Sequence, residues 1–198
     1  MRTAWLLVGA LLPGCMSAEV LCVLGKAAAS YTSAQDQRPS SDALQLASRL
    51  NTALKAICAD RCPQMALFRN PTVPNAMLIA DSGQGKLVYS PQFFAAAYES
   101  FGDSGILAIM AHEVGHALDA TLGAAWIKNS WTPELRADAW AGCVLARIDP
   151  GPKGLEPSLA ALAKYPSPAH PAWNARLSVL RTGFTQCGGS ALKFEKRK

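Results

Sequence analysis

Scarcity is the first feature of this chain: three histidines in 198 residues, 17% charged residues and 8% aromatics. So few charges beside 50% apolar residues argue against a disordered, solvating polymer and for a packed core. There is no uninterrupted apolar run of the ~20 residues that a membrane-spanning helix needs. The net charge of +5 is modest. Its basic residues are scattered, apart from the Lys193–Lys198 tail, and are not interleaved with aromatics, which argues against a nucleic-acid partner. No internal repeat is visible. The length suits a single domain.

The first residues read as an export signal over 1–18: Arg2 is the positive end, and Ala4 to Leu12 form a short apolar run broken by Pro13-Gly14. Leu12-Pro13-Gly14-Cys15 resembles a bacterial lipobox, which makes Cys15 a candidate for lipid anchorage; cleavage after Ala18 is the competing choice. Either way the expected location is exported, as a periplasmic protein or outer-membrane lipoprotein, with secretion as the lesser alternative. Export would let cysteines oxidise. With Cys15 set aside and Cys22 as the odd one near the leader, Cys58, Cys62, Cys143 and Cys187 allow three pairings. One of them closes Cys58 on Cys62 locally and leaves Cys143 for Cys187. A structural zinc site is the alternative use of these thiols.

Residues 19–41 read as a linker, small and polar from 26 onward. From residue 42 the pattern becomes helical: Leu44, Leu46, Leu50, Leu54 and Ile57 recur near a 3.6 period, with Ser41 or Asp42 as N-cap and an end near Cys62-Pro63. Met77–Ala80 and Lys86–Ser90 flank a glycine-bearing turn and predict a β-hairpin. A short helix is expected over 91–101, ending at Gly102, and a central one over 104–121. Thr132-Pro133 opens another that runs to about Arg147. Shorter helices are expected near 156–164 and 171–181. The domain so defined spans 42–187 and leaves a basic tail, 188–198. The class is α+β, mainly helical, with a small antiparallel sheet or hairpin packed on the central helix.

Two of the three histidines stand four apart in His112-Glu113-Val114-Gly115-His116. On a helix that spacing puts both imidazoles on one face, where they can share a metal ion, and Glu113 is placed to take a proton from water on that metal. A catalytic zinc usually takes three protein ligands. Glu134, Asp119, Asp138 and His170 are the candidates for the third. A metzincin would need histidine at position 122, which is Leu122, so that class is excluded. Glu134 has the best context: eighteen residues after His116, it leaves room to end one helix and bring the next alongside. An acid at that point also suits a helix N-terminus through the dipole alone. Asp138, one turn on, can fix the ring of a ligand histidine.

These segments resemble known zinc peptidases. His112–His116 followed by Glu134-Leu135-Arg136-Ala137-Asp138 resembles the gluzincin pair H-E-x-x-H and E-x-x-A-D. Asn70-Pro71-Thr72-Val73-Pro74-Asn75-Ala76 before a hairpin, and His170-Pro171 with Arg176, are similar to segments of the HtpX and CAAX-prenyl-protease type, family forty-eight of the metallopeptidases. The likeness runs from about Asp42 to Thr182 in family order. The interval between His116 and Glu134 is shorter than that family's and closer to the compact thermolysin-like arrangement. The resemblance implies a zincin-like (minigluzincin) fold and one zinc ion held by His112, His116 and Glu134. It also implies Glu113 as base, Asp138 behind a ligand, and His170 and Arg176 near the metal, where they stabilise an oxyanion or regulate access. The activity it implies is hydrolysis of peptide bonds in protein or peptide substrates of the cell envelope. A non-catalytic or latent envelope lipoprotein, chaperone-like in action, with His170 at the metal's fourth position, is the alternative. So is a structural metal helix pair.

Overall fold

The computed structural model describes residues 19–20, 31–81, 84–148, 151–165 and 168–194. Residues 1–18 with Cys15, as well as Cys22 and 195–198, lie outside them. Five helices dominate: α1 Ser41–Cys58, α2 Pro91–Thr121, α3 Pro133–Ile148, α4 Gly151–Lys164 and α5 Trp173–Gln186. Four strands, β1 Glu19–Val20, β2 Met65–Arg69, β3 Ala76–Asp81 and β4 Gln84–Tyr89, form one sheet in the order β1-β3-β4-β2. No helix among the described residues is long and apolar enough to cross a membrane.

Helix α1 follows its apolar period. Leu46, Leu50 and Leu54 are buried, whereas Leu44, included in the same stripe, is 52% exposed. Its N-cap is Ser40, whose hydroxyl accepts from Ala43 N, rather than Ser41 or Asp42. The two helices expected on either side of Gly102 are one element with a break: Gly102 has φ 60 and ψ −162, inside an otherwise helical run. Glycine tolerates that conformation without a Cβ penalty. The second half of α2 then runs buried from Gly105 to Leu118.

The sheet corrects one expectation, because it is mixed rather than antiparallel. β3 and β4 form the expected antiparallel hairpin, but β2 lies parallel to β4, Met65 opposite Gly85 through Arg69 opposite Tyr89. Parallel neighbours need a crossover, and β3 supplies part of it. Residues assigned to a linker are docked from Tyr31 on. Gln37 bridges to Arg69, and the fully buried Asn70 amide donates to Thr32 O and Asp36 Oδ1. At the other end Phe194 stacks edge-on against Phe184, with ring centres 5.2 Å apart.

Helix α3 lies between α2 and α5 at very close range, and glycines permit it. A Cβ on Gly115 would strike the Ala137 carbonyl. One on Gly142 would strike the Leu180 carbonyl, and one on Gly183 the Ala139 carbonyl. Two disulfides, Cys58–Cys62 and Cys143–Cys187, fit a non-reducing environment. The second spans a sequence separation of 44 and ties α3 to the end of α5. Closing a loop of that size restricts the unfolded chain by about 4 kcal/mol in the chain-entropy picture.

Candidate functional site

The buried half of α2 carries His112, Glu113 and His116, with relative exposures of 3%, 2% and 5%. Their rings share one helix face, as residues four apart must, with centres 5.0 Å apart. Helix α3 is opened by Thr132, whose hydroxyl accepts from Leu135 N at 3.3 Å, and by Pro133 at the first helical position. That opening puts Glu134 in the first turn, facing α2. Arg136 clamps the two helices together, donating to Asp119 Oδ2 at 2.7 Å and to Trp131 O at 2.8 Å. Asp119, one of the candidate third ligands, is thus engaged in this clamp.

Around this frame several side chains converge. Glu134 Oε2 lies 3.2 Å from His112 Nε2 and 3.7 Å from His116 Nε2. His170, from the proline-bracketed segment before α5, brings its Nε2 to 2.7 Å from the same oxygen and 3.3 Å from His112 Nε2. His112, Glu134 and His170 each offer an atom within 4.8 Å of the others, making them a possible metal-binding triad. His116 Nε2 is buried and makes no hydrogen bond.

Behind the triad runs a relay. Asp138 is fully buried, and its Oδ1 meets His112 Nδ1 at 2.9 Å. An ionised carboxylate only accepts, so Nδ1 carries the proton and Nε2 presents its lone pair to the cluster. Asp138 in turn receives two hydrogen bonds from Arg176, Nε to Oδ2 at 2.7 Å and Nη2 to Oδ1 at 2.9 Å, while Arg176 Nη1 donates to Leu162 O at 2.9 Å. Arg176 is only 1% exposed, so its charge is spent on holding Asp138.

The electrostatics follow from these partners. Burial pushes the Asp138 carboxyl up, but the Arg176 hydrogen bonds and His112 outweigh it and hold it below its ordinary value. Burial likewise raises Glu134, and the neighbouring His112 and His170 rings reverse this, leaving it well below the usual carboxylate range. His116 is held down to about 3, chiefly by burial and then by His112. The ring therefore stays neutral, as a metal ligand must.

Glu113 reaches the sheet, where its Oε2 accepts the Leu78 N–H of β3 at 3.0 Å. A pocket of about 20 Å³, with room for one water molecule, is lined by Glu113, His112 and His170 together with Phe93, Ile109 and Tyr165. The Leu78 contact has no signal in the sequence, because a backbone donor is the same in any residue but proline. No protein-family model matches this chain, and neither does any curated protein or solved structure.

Proposed function

We propose that the chain is an exported zinc-dependent endopeptidase of the compact zincin-like type, held in a closed state by His170. The observation that carries the reading is the distance from Glu134 Oε2 to two imidazole nitrogens on a different helix, 3.2 Å and 3.7 Å. Zinc bonds of about 2.0–2.1 Å at tetrahedral angles separate neighbouring donor atoms by about 3.3–3.4 Å. The side chains are spaced as ligands of one ion, and the neutral, hydrogen-bond-free Nε2 of His116 fits that use. His112, His116 and Glu134 would hold one zinc per chain. When bound, the ion supplies a Lewis acid that acidifies a water and polarises the carbonyl under attack.

The protein's own groups do the rest. Glu113 takes the water's proton at its carboxylate and passes it to the leaving amine. The Leu78 N–H orients that carboxylate, and the Arg176–Asp138 relay keeps His112 in the tautomer that faces the ion. β3 passes the site with one edge on β4 and the other met, among the described residues, by β1 at Ile79 and Ala80. The rest of that edge suits an extended peptide or protein segment, paired through its backbone with little sequence demand. The disulfides support an envelope location, with Cys15 as a candidate anchor.

The proximity of His170 favours a second reading on the same site. Four protein ligands leave no position for water, so a latent or non-catalytic factor would keep the ion and work by binding. Metal analysis and casein cleavage with and without chelator separate the readings. The endopeptidase reading expects one zinc per chain and chelator-sensitive cleavage, with faster cleavage on His170→Ala. Glu113→Gln should retain the zinc and lose about a thousandfold in rate. A metal-free protein, or a Glu113→Gln variant as active as the wild type, sinks the reading. Zinc without cleavage by either the wild type or His170→Ala leaves the binding factor standing.

A further inference from the structure

A second concavity lies apart from the candidate metal-binding cluster. A concavity of about 590 Å³ opens between the first turns of α1, the ends of β2 and β4, and the first half of α2. That volume falls in the range of about 300–1,000 Å³ typical of small-ligand sites. No residue lines both this groove and the pocket beside Glu113. One wall is aromatic: Tyr89 and Phe94 stack with ring centres 4.1 Å apart. At the rim Tyr98 is 59% exposed, one of three large apolar side chains so exposed among the described residues.

The charged lining balances, two arginines against two aspartates. It contains Arg49, Arg69, Asp42 and Asp103. Arg49 pairs with Asp103 at 3.6 Å. Arg69, partly buried, is joined to no carboxylate among the described residues, and its Nε makes no hydrogen bond there. A guanidinium is charged at any physiological pH, and its planar fork of donors matches a carboxylate.

We propose that this groove binds a ligand carrying a single carboxylate on an apolar body, with the carboxylate on Arg69 and the body against Tyr89, Phe94 and Tyr98. Charge sets the class. Arg69 is the arginine of the lining outside the Arg49–Asp103 pair, and with Asp42 and Asp103 beside it the groove suits a monoanion and repels a phosphate dianion or a polyanion. The free C-terminus of a short peptide and a free aryl-alkanoic acid share this chemistry. The site is independent of any hydrolytic activity.

Calorimetric titration of the unaltered protein compares an N-acetylated tripeptide ending in phenylalanine, as its free acid, with the same peptide as its C-terminal amide. A third arm uses phenylbutyrate. The peptide acid is expected to bind saturably and the amide about tenfold more weakly, the loss of one charge-assisted contact. Phenylbutyrate binding as tightly as the peptide assigns the source to free acids, and weaker binding assigns it to peptide C-termini. A metal-directed hydroxamate should leave binding unchanged, and Arg69→Gln should weaken the acid to the level of the amide. Equal affinity for acid and amide, no binding by any of the three, or displacement by the hydroxamate overturns the proposal. The ligand comparison needs no variant and so stands even if Arg69→Gln unfolds.

Discussion

The two halves of α2 make an instructive contrast. From Gly105 to Leu118 the helix is buried on all sides, and its polar groups are drawn into a network: His112 with Asp138, Asp138 with Arg176, Glu113 with Leu78. Before Gly102 the same helix presents Phe94 and Tyr98 to an open groove where the Arg69 Nε makes no hydrogen bond among the described residues. One half is a preorganised internal network and the other an unfinished surface. A break of a single residue lets one helix serve two geometries, because the segments no longer need to share a face.

Changes in the buried half should do the most damage. Gly115→Ala drives a Cβ into the Ala137 carbonyl, backbone that cannot swing aside. A loss of about 3 kcal/mol is expected by urea unfolding, together with weaker metal binding as α3 is displaced from α2. Asp138→Asn keeps the shape but not the charge that answers Arg176 and fixes His112. A loss of about 10–100-fold in zinc affinity is expected in a competition titration with a chromogenic chelator. Full affinity in this variant would show that the relay does not position the ring.

Acid separates the halves more gradually, since all three histidines lie in the cluster. The His116 ring takes a proton less readily in the folded state, at about 3, than its ordinary 6.5. The unfolded chain therefore binds the proton first, and the stability of metal-free protein should fall as pH drops below about 6.5 and toward 3. Asp138 and Glu134, also held below their ordinary values, extend the loss further into acid. Thermal melts of chelator-treated protein between pH 7 and pH 4 measure the slope. A flat profile contradicts the burial argument. The smallest effect belongs to the groove: Tyr98→Ala, at an exposed position, should shift stability by no more than about 0.5 kcal/mol and leave that acid slope intact.

How much of this was legible in the sequence depends on the range of the forces involved. The helix pattern, the break at Gly102, the hairpin and the Thr132-Pro133 opening could be read because each is written in a few consecutive residues. The His112–His116 face is likewise local. β2 went unread because Met65–Arg69 carries no alternation, and its strand character comes from pairing with β4, a partner twenty residues away. The docking of Tyr31–Ser41 rests on Asn70, whose amide reaches back across more than thirty positions. Resemblance drew attention to Arg176, but its bond to Asp138 is a fact of helix packing. The groove is assembled from three separate stretches of the chain, so no short window of sequence contains it.

The disulfide between Cys143 and Cys187 and the reach of Arg176 have a consequence for biogenesis. A ribosome makes His112 and His116 first, then Glu134 and Asp138, and the residues of α5 last. Until Arg176 emerges and docks, Asp138 has no counter-charge and His112 no fixed tautomer, so the nascent chain cannot present a finished cation trap. On the proposed zinc reading, capture of an ion would be deferred to the end of folding, in whichever compartment the last helix is locked down by oxidation.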